Sequence, residues 1–132
     1  MTPRLLLALP LIGASLIAHA AGMPPAAHAE TEALLGRLAG SGCSFNRNGS
    51  WYDGQAARDH LQQKLDYLEG KGLVGSTEQF IERGASASSL SGKPYLVRCG
   101  TAQPVESRAW LTTHLQALRA SAAAPASAPT RH

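Results

Sequence analysis

The stretch CSFNRNGSWY, residues 43–52, decides the fold that we expect for this chain. At its centre, Asn48 and Gly49 form a pair that tolerates positive φ and is typical of a two-residue β-hairpin turn. The flanks of this pair are short, and we therefore predict two short strands. Asp53 follows directly and is a suitable N-cap for a helix over residues 54–69.

Apolar residues at helical spacing mark further segments outside the hairpin. Residues 30–39 carry leucines on one face and are followed by glycine, while the apolar stripe of residues 54–69 has spacings of four, four and three. A capping box that begins at Ser76 predicts a short helix ending near Gly84. A final helix is predicted over residues 106–118. The apolar faces contain Leu34, Leu35, Leu38, Ala57, Leu61, Leu65, Leu68, Phe80, Ile81, Leu111, Leu115 and Leu118.

The run YLVRC, residues 95–99, predicts one more strand. The element order is then helix, hairpin, helix, helix, strand and helix. We predict an α+β fold in which a small antiparallel sheet, made of the hairpin and one strand, is packed by about four helices. A three-stranded sheet would bring residues 43 and 99 together, and other arrangements would do so as well.

Cys43 and Cys99 are the only cysteines in the sequence. They lack the Cys-x-x-Cys spacing of redox-active pairs. In an oxidising compartment, two such thiols are more often joined than free. We predict one structural disulfide, which closes a long loop and stabilises the fold by about 4 kcal/mol.

The first residues have the three parts of an export signal in the right order. Arg4 supplies the positive charge, an apolar stretch follows, and Ala18-His19-Ala20 is a small-x-small cleavage site. We predict a signal peptide over residues 1–20, cleaved after Ala20, and a periplasmic protein. The alternative is an uncleaved anchor, for which the apolar stretch is short.

Composition divides the mature chain into three parts. Residues 21–29 are predicted to be a flexible segment, residues 30–119 a single α+β domain, and residues 120–132 a disordered Ala/Ser/Pro tail. The formal charge of +3 falls to +2 when Arg4 leaves with the signal. This charge is too small to argue for nucleic acid or an anionic membrane, and we expect neither as a partner.

The polar residues with a recognisable chemistry lie between the two cysteines. Cationic side chains occur there beside hydroxyl and amide groups, a mixture suited to carboxylate, phosphate or glycan oxygens. We predict a non-catalytic binding surface whose partner is a periplasmic protein or an envelope glycan, provided that these side chains converge. The residues are Arg47, Asn48, His60, Lys64, Ser88, Ser89 and Lys93.

Other chemistries fit the residues less well. A small serine hydrolase is the alternative, with Asp59 and His60 beside the serine loop, residues 85–92, but adjacent helical residues diverge and no Gly-x-Ser-x-Gly elbow occurs. No histidine or carboxylate lies four positions from His60, so we expect no metal. The glycine-rich run of residues 70–75 follows a predicted helix instead of a strand, and we expect no nucleotide or other cofactor.

Several motifs resemble a family of small exported bacterial proteins known as domain of unknown function 5329. They are CxFxRNGxxY from Cys43, AxxHLxxKL from Ala57, FI from Phe80 and ASxSSxSGxPY from Ala85. The resemblance covers essentially the whole predicted domain. It implies a bacterial, periplasmic protein with one domain, and it supplies no catalytic residues.

Overall fold

The structure is a computed structural model that describes residues 22–124 together with Thr2, Pro3, Ala8, Pro10 and Gly13. The predicted cleavage after Ala20, most of the predicted signal peptide, and residues 125–132 of the predicted tail lie outside the described residues. Within the described part, no helix combines the length and the apolar content that crossing a bilayer requires.

The described chain forms an α+β fold, as predicted. It contains four helices and four strands. They are α1 (Pro25–Ala39), β1 (Ser44–Arg47), β2 (Ser50–Tyr52), α2 (Gly54–Gly70), α3 (Thr77–Gly84), β3 (Leu96–Arg98), β4 (Val105–Glu106) and α4 (Ser107–Ala123).

All strand pairs in the sheet are antiparallel, in the order β2-β1-β3-β4. The hairpin turns at Asn48 and Gly49, which have φ values of 53° and 85°. Positive φ at both central residues suits the right-handed twist of the paired strands, so the predicted turn is confirmed.

The fourth strand was not predicted. β4 has two residues and pairs with β3, Val97 opposite Val105. Two residues are too few to show the alternating pattern of a strand. One of them, Glu106, falls within the predicted helix over residues 106–118.

Two helices extend beyond their predicted limits. α1 begins at Pro25, so residues 25–29 belong to it; proline is well accommodated in a first helical turn because its missing N–H has no partner there. α4 continues through the alanine-rich residues to Ala123, and alanine has the highest intrinsic helix propensity.

The core lies between the helices and one face of the sheet. Phe45 and Val97, opposite each other on β1 and β3, are both buried, whereas Trp51 on the other face is exposed. The largest fully buried side chains are Tyr95, Phe45, Phe80, Leu34, Leu35, Leu38, Leu61, Leu65, Leu111, Val74, Val97 and Thr31.

Cys43 and Cys99 form the predicted disulfide, with an S–S distance of 2.02 Å. They lie just beyond the ends of β1 and β3, next to the Ser44–Arg98 pair of the sheet. The bridge therefore fixes the pairing of two strands that are far apart in the sequence.

We expect the double substitution Cys43→Ser/Cys99→Ser to lower the free energy of unfolding by about 4 kcal/mol, because the unfolded chain regains the entropy of an open loop. Urea denaturation with and without reductant measures this. Reductant should lower the midpoint of the wild type and leave that of the double variant unchanged. Equal midpoints for oxidised and reduced wild type would contradict a stabilising bridge.

Candidate functional site

Three segments of the fold meet beside α2. Arg47 ends β1 at the hairpin turn, and His60 and Lys64 lie four positions apart on one face of α2. The serine loop, between α3 and β3, covers them from the other side. Together these segments enclose a cavity of about 150 Å³, here named the polar cavity. It is lined by Arg47, Asn48, His60, Lys64, Ser88, Ser89, Leu90 and Tyr95.

Six of the seven residues predicted to form a binding surface line the polar cavity, and Lys93 does not. Lys93 is exposed and contributes main-chain bonds to the loop: its N–H donates to Ser91 Oγ at 3.2 Å, and its carbonyl accepts from the Ser88 N–H at 2.9 Å. The convergence that the binding hypothesis required is therefore present for six side chains and absent for Lys93.

A chain of hydrogen bonds crosses the floor of the polar cavity. Arg47 Nη1 lies 2.9 Å from His60 Nδ1, and His60 Nε2 lies 3.2 Å from the Tyr95 hydroxyl. A guanidinium only donates, so Nδ1 accepts and the proton of the neutral imidazole is on Nε2. Lys64 Nζ then donates to the same Tyr95 oxygen at 3.1 Å and to the Ala87 carbonyl at 3.2 Å.

These contacts place two cations near a histidine and a tyrosine that are largely withdrawn from water. Burial, and then the charges of Arg47 and Lys64, lower the pKa of His60 below its usual 6.5. Burial and the charge of Arg47 also lower the pKa of Lys64. Burial raises the pKa of Tyr95, against a smaller opposite effect of Arg47. The lowered pKa values of His60 and Lys64 indicate that the site has little negative charge of its own, because a nearby anion would raise both.

The ion pairs of the described residues bear this out, because none of them includes Arg47 or Lys64. Among the other described arginines, Arg108 pairs with Glu82 at 2.7 Å and Arg119 pairs with Glu30 at 2.9 Å, whereas the ion pairs of the described residues include no further arginine. Arg47 instead reaches the Tyr52 hydroxyl at 3.4 Å and lies 5.0 Å from the centre of that ring.

The serine loop is fastened to the hairpin turn. Ser91 Oγ donates to Asn48 Oδ1 at 2.6 Å, so the amide NH₂ of Asn48 remains available as a donor. Ser88 Oγ accepts from the main-chain N–H groups of Leu90 and Ser91, at 3.2 and 3.3 Å. The hydroxyl of Ser88 thus shapes the turn, as serine commonly does.

The contacts of His60 differ from those of a catalytic triad. Both ring nitrogens are engaged by Arg47 and Tyr95, and in the described hydrogen bonds neither contacts a serine. Asp59 accepts from Gln55 Nε2 at 3.0 Å on the exposed side of α2. Within the same described region, no three residues of the metal-ligand types cluster.

Tyr95 is the central residue that the sequence analysis did not place in the site. It was predicted only as part of a strand. In the structure its hydroxyl joins His60 to Lys64, and the residue is just 1% exposed. A buried tyrosine needs a partner for its hydroxyl, which is the one signal that could have pointed to it.

A second cavity of about 210 Å³, the adjoining cavity, lies farther along α2. Its walls include His60, Lys64 and Ser89, which also line the polar cavity. The remaining walls are Gln63, Tyr67, Leu68 and Arg83. The two cavities are therefore neighbours that share lining residues from α2 and the serine loop.

Comparison with known proteins identifies the family. Residues 25–119 match the family of unknown function DUF5329, and the chain belongs to it. The chain is also similar to the uncharacterized protein YfeK of Salmonella typhimurium strain LT2, with 38% identity over 68 residues. The matched stretch covers 51% of this chain and 55% of that relative, so it spans about half the length of the curated relative. No solved structure gives a significant match.

We expect NMR to find His60 in the Nε2–H form with a titration midpoint below 6.5. The unfolded chain then binds this proton more tightly, so the stability supplied by neutral His60 is present above pH 6.5 and is lost as the pH falls through the lower, folded-state value. Long-range ¹H–¹⁵N spectra across a pH series report both the tautomer and the midpoint.

Arg47→Met should raise the titration midpoint of His60 part of the way towards 6.5, because one positive charge is removed while burial still lowers the pKa. His28 is the internal control, since its hydrogen bond to Glu69 raises its pKa. An Nδ1–H tautomer, or a His60 midpoint above 6.5 in the wild type, would contradict the hydrogen-bond chain.

Proposed function

We propose that this member of a family without an established activity is an exported periplasmic binding module that holds the anionic group of its ligand, a carboxylate or a phosphate, in the polar cavity. The observation that carries the proposal is that two cations, Arg47 and Lys64, line the same cavity while the described ion pairs give neither of them a carboxylate. An anionic group of a ligand would supply the missing charge.

The hydrogen-bonding character of the polar cavity supports an acceptor as ligand. Arg47 and Lys64 only donate, and the Asn48 amide has donor capacity left. The Tyr95 oxygen already accepts from His60 and Lys64, so its own hydrogen remains to donate. Carboxylate oxygens and the unprotonated oxygens of a phosphate accept without donating, whereas a metal ion or an amine would meet like charge.

The energetics of Lys64 point in the same direction. Its lowered pKa shows that the fold disfavours the charged ammonium at this position. Ionisable groups with perturbed pKa values cluster at functional sites, where stability is commonly given up.

The proposed location rests on chemistry outside the cavity. The Cys43–Cys99 bridge is a bond that persists in oxidising compartments such as the periplasm. The arrangement of residues 1–20 as an export signal supports the same compartment.

We expect phosphate or acetate, added at constant ionic strength, to shift the amide resonances around the polar cavity and to raise the melting temperature. Lys64→Met should weaken this binding by about tenfold or more, because a charge-assisted hydrogen bond is lost. Lys93→Met is the matched control, since it removes the same charge from the same neighbourhood outside the cavity.

Equal weakening by the two lysine substitutions would show a general charge effect and would overturn the proposal. Circular dichroism verifies that both variants fold. The proposal would also be overturned if the wild type hydrolysed an ester probe and a folded Ser88→Ala variant did not. That result would favour the hydrolase alternative.

We expect the full chain, expressed in a Gram-negative host, to accumulate in the periplasmic fraction with its first residue at Ala21. Intact-mass measurement of the purified protein tests the cleavage after Ala20. A membrane-bound product that keeps residues 1–20 would indicate the uncleaved anchor.

A further inference from the structure

We propose that the ligand is a small amphiphilic anion, whose charged head occupies the polar cavity and whose apolar chain occupies the adjoining cavity. This inference rests on the proposed function, since it names the kind of molecule that carries the anionic group. It follows from the size, the shared walls and the surface chemistry of the two cavities.

The size of the cavities argues for two parts of one ligand. Their volumes are about 150 and 210 Å³, and each is below the roughly 300 Å³ at which pockets for whole drug-sized ligands begin. Because His60, Lys64 and Ser89 line both cavities, a group in one lies directly beside a group in the other. A molecule with two small parts fits this arrangement.

The lining of both cavities is mostly apolar, and the adjoining cavity adds apolar side chains of its own. Tyr67 and Leu68 provide an aromatic ring and an aliphatic chain, and Gln63 adds its methylene groups. Arg83, the cation specific to this cavity, donates to the Leu73 carbonyl. A hydrocarbon chain complements the surface that Tyr67 and Leu68 provide.

Exposed apolar side chains mark the same surface. Tyr67 is 62% exposed and lines the adjoining cavity, while Leu90 is 96% exposed and lines the polar cavity. A leucine so fully exposed on a loop contributes nothing to the core. A hydrocarbon chain in the adjoining cavity would remove Tyr67 from water, and Leu90 follows directly on Ser89, which lines both cavities.

The test compares acetate, butyrate and hexanoate, with hexyl phosphate as the phosphate counterpart and hexanol as the uncharged control. Amide chemical-shift titrations of the full mature protein give each dissociation constant. We expect hexanoate to bind about tenfold or more tightly than acetate, since each fully buried methylene can add up to about fourfold. Hexanol should bind far more weakly than hexanoate, and the preference between hexanoate and hexyl phosphate identifies the head group.

Tyr67→Ser should reduce the advantage of hexanoate over acetate while leaving acetate binding unchanged. Leu73→Ser is the matched control, because Leu73 is an exposed apolar residue that lines neither cavity. Both positions are exposed, so both variants are expected to fold.

The outcomes separate the two proposals. Equal binding of acetate and hexanoate, or a chain-length effect that Tyr67→Ser leaves intact, overturns the amphiphilic ligand and leaves the anion site standing. Binding of hexanol as tight as that of hexanoate also overturns it. Failure of every anion to bind overturns the proposed function itself.

Discussion

The contacts of Tyr95 hold the site and the core in one arrangement. Its ring packs against Phe45, with the ring centres 5.0 Å apart, and its hydroxyl joins His60 to Lys64. Both main-chain polar groups of Tyr95 are also hydrogen-bonded: the N–H donates to the Ser86 carbonyl, and the carbonyl accepts from the Ser107 N–H at 2.8 Å. One residue therefore connects the sheet, α2, the serine loop and the start of α4. A change that moves Tyr95 would disturb the packing and the electrostatics of the cavity at once.

The parts of the fold that the sequence revealed are those that local rules determine. The Asn48–Gly49 turn requires positive φ, and the Asp53 carboxylate caps α2 by accepting from the Ala56 N–H at 2.8 Å. The disulfide followed from having only two cysteines. The sequence did not reveal β4, whose two residues become a strand only because β3 is already beside them. The early start of α1 was also missed, because its first turn lacks the leucine spacing that marks the rest.

The candidate site was predictable as a set of residue types and only partly as a geometry. The spacing of four between His60 and Lys64 placed both on one face of α2, but no local rule brings the serine loop over that face. That approach depends on long-range contacts such as Lys64 with the Ala87 carbonyl and Ser91 with Asn48. The same dependence explains why Lys93, which has suitable chemistry, is the one predicted binding residue that does not line the polar cavity. Tyr95 was overlooked because an aromatic residue in a strand is ordinarily a core residue, and here it is both.

The pairing of β1 with β3 has a consequence for how the protein comes to fold. The hairpin of β1 and β2 is local, whereas the contact that Cys43 and Cys99 lock spans 56 residues, including all of α2 and α3. Contacts so distant in sequence are slow to form, because a long loop must close first. In the folded chain, Arg47 and Lys64 lie beside Tyr95, and the charge of Arg47 lowers the pKa of Lys64, so their mutual repulsion disfavours the folded state. An anion bound in the polar cavity would offset this repulsion, and the fraction of folded chains would then rise with the concentration of that anion.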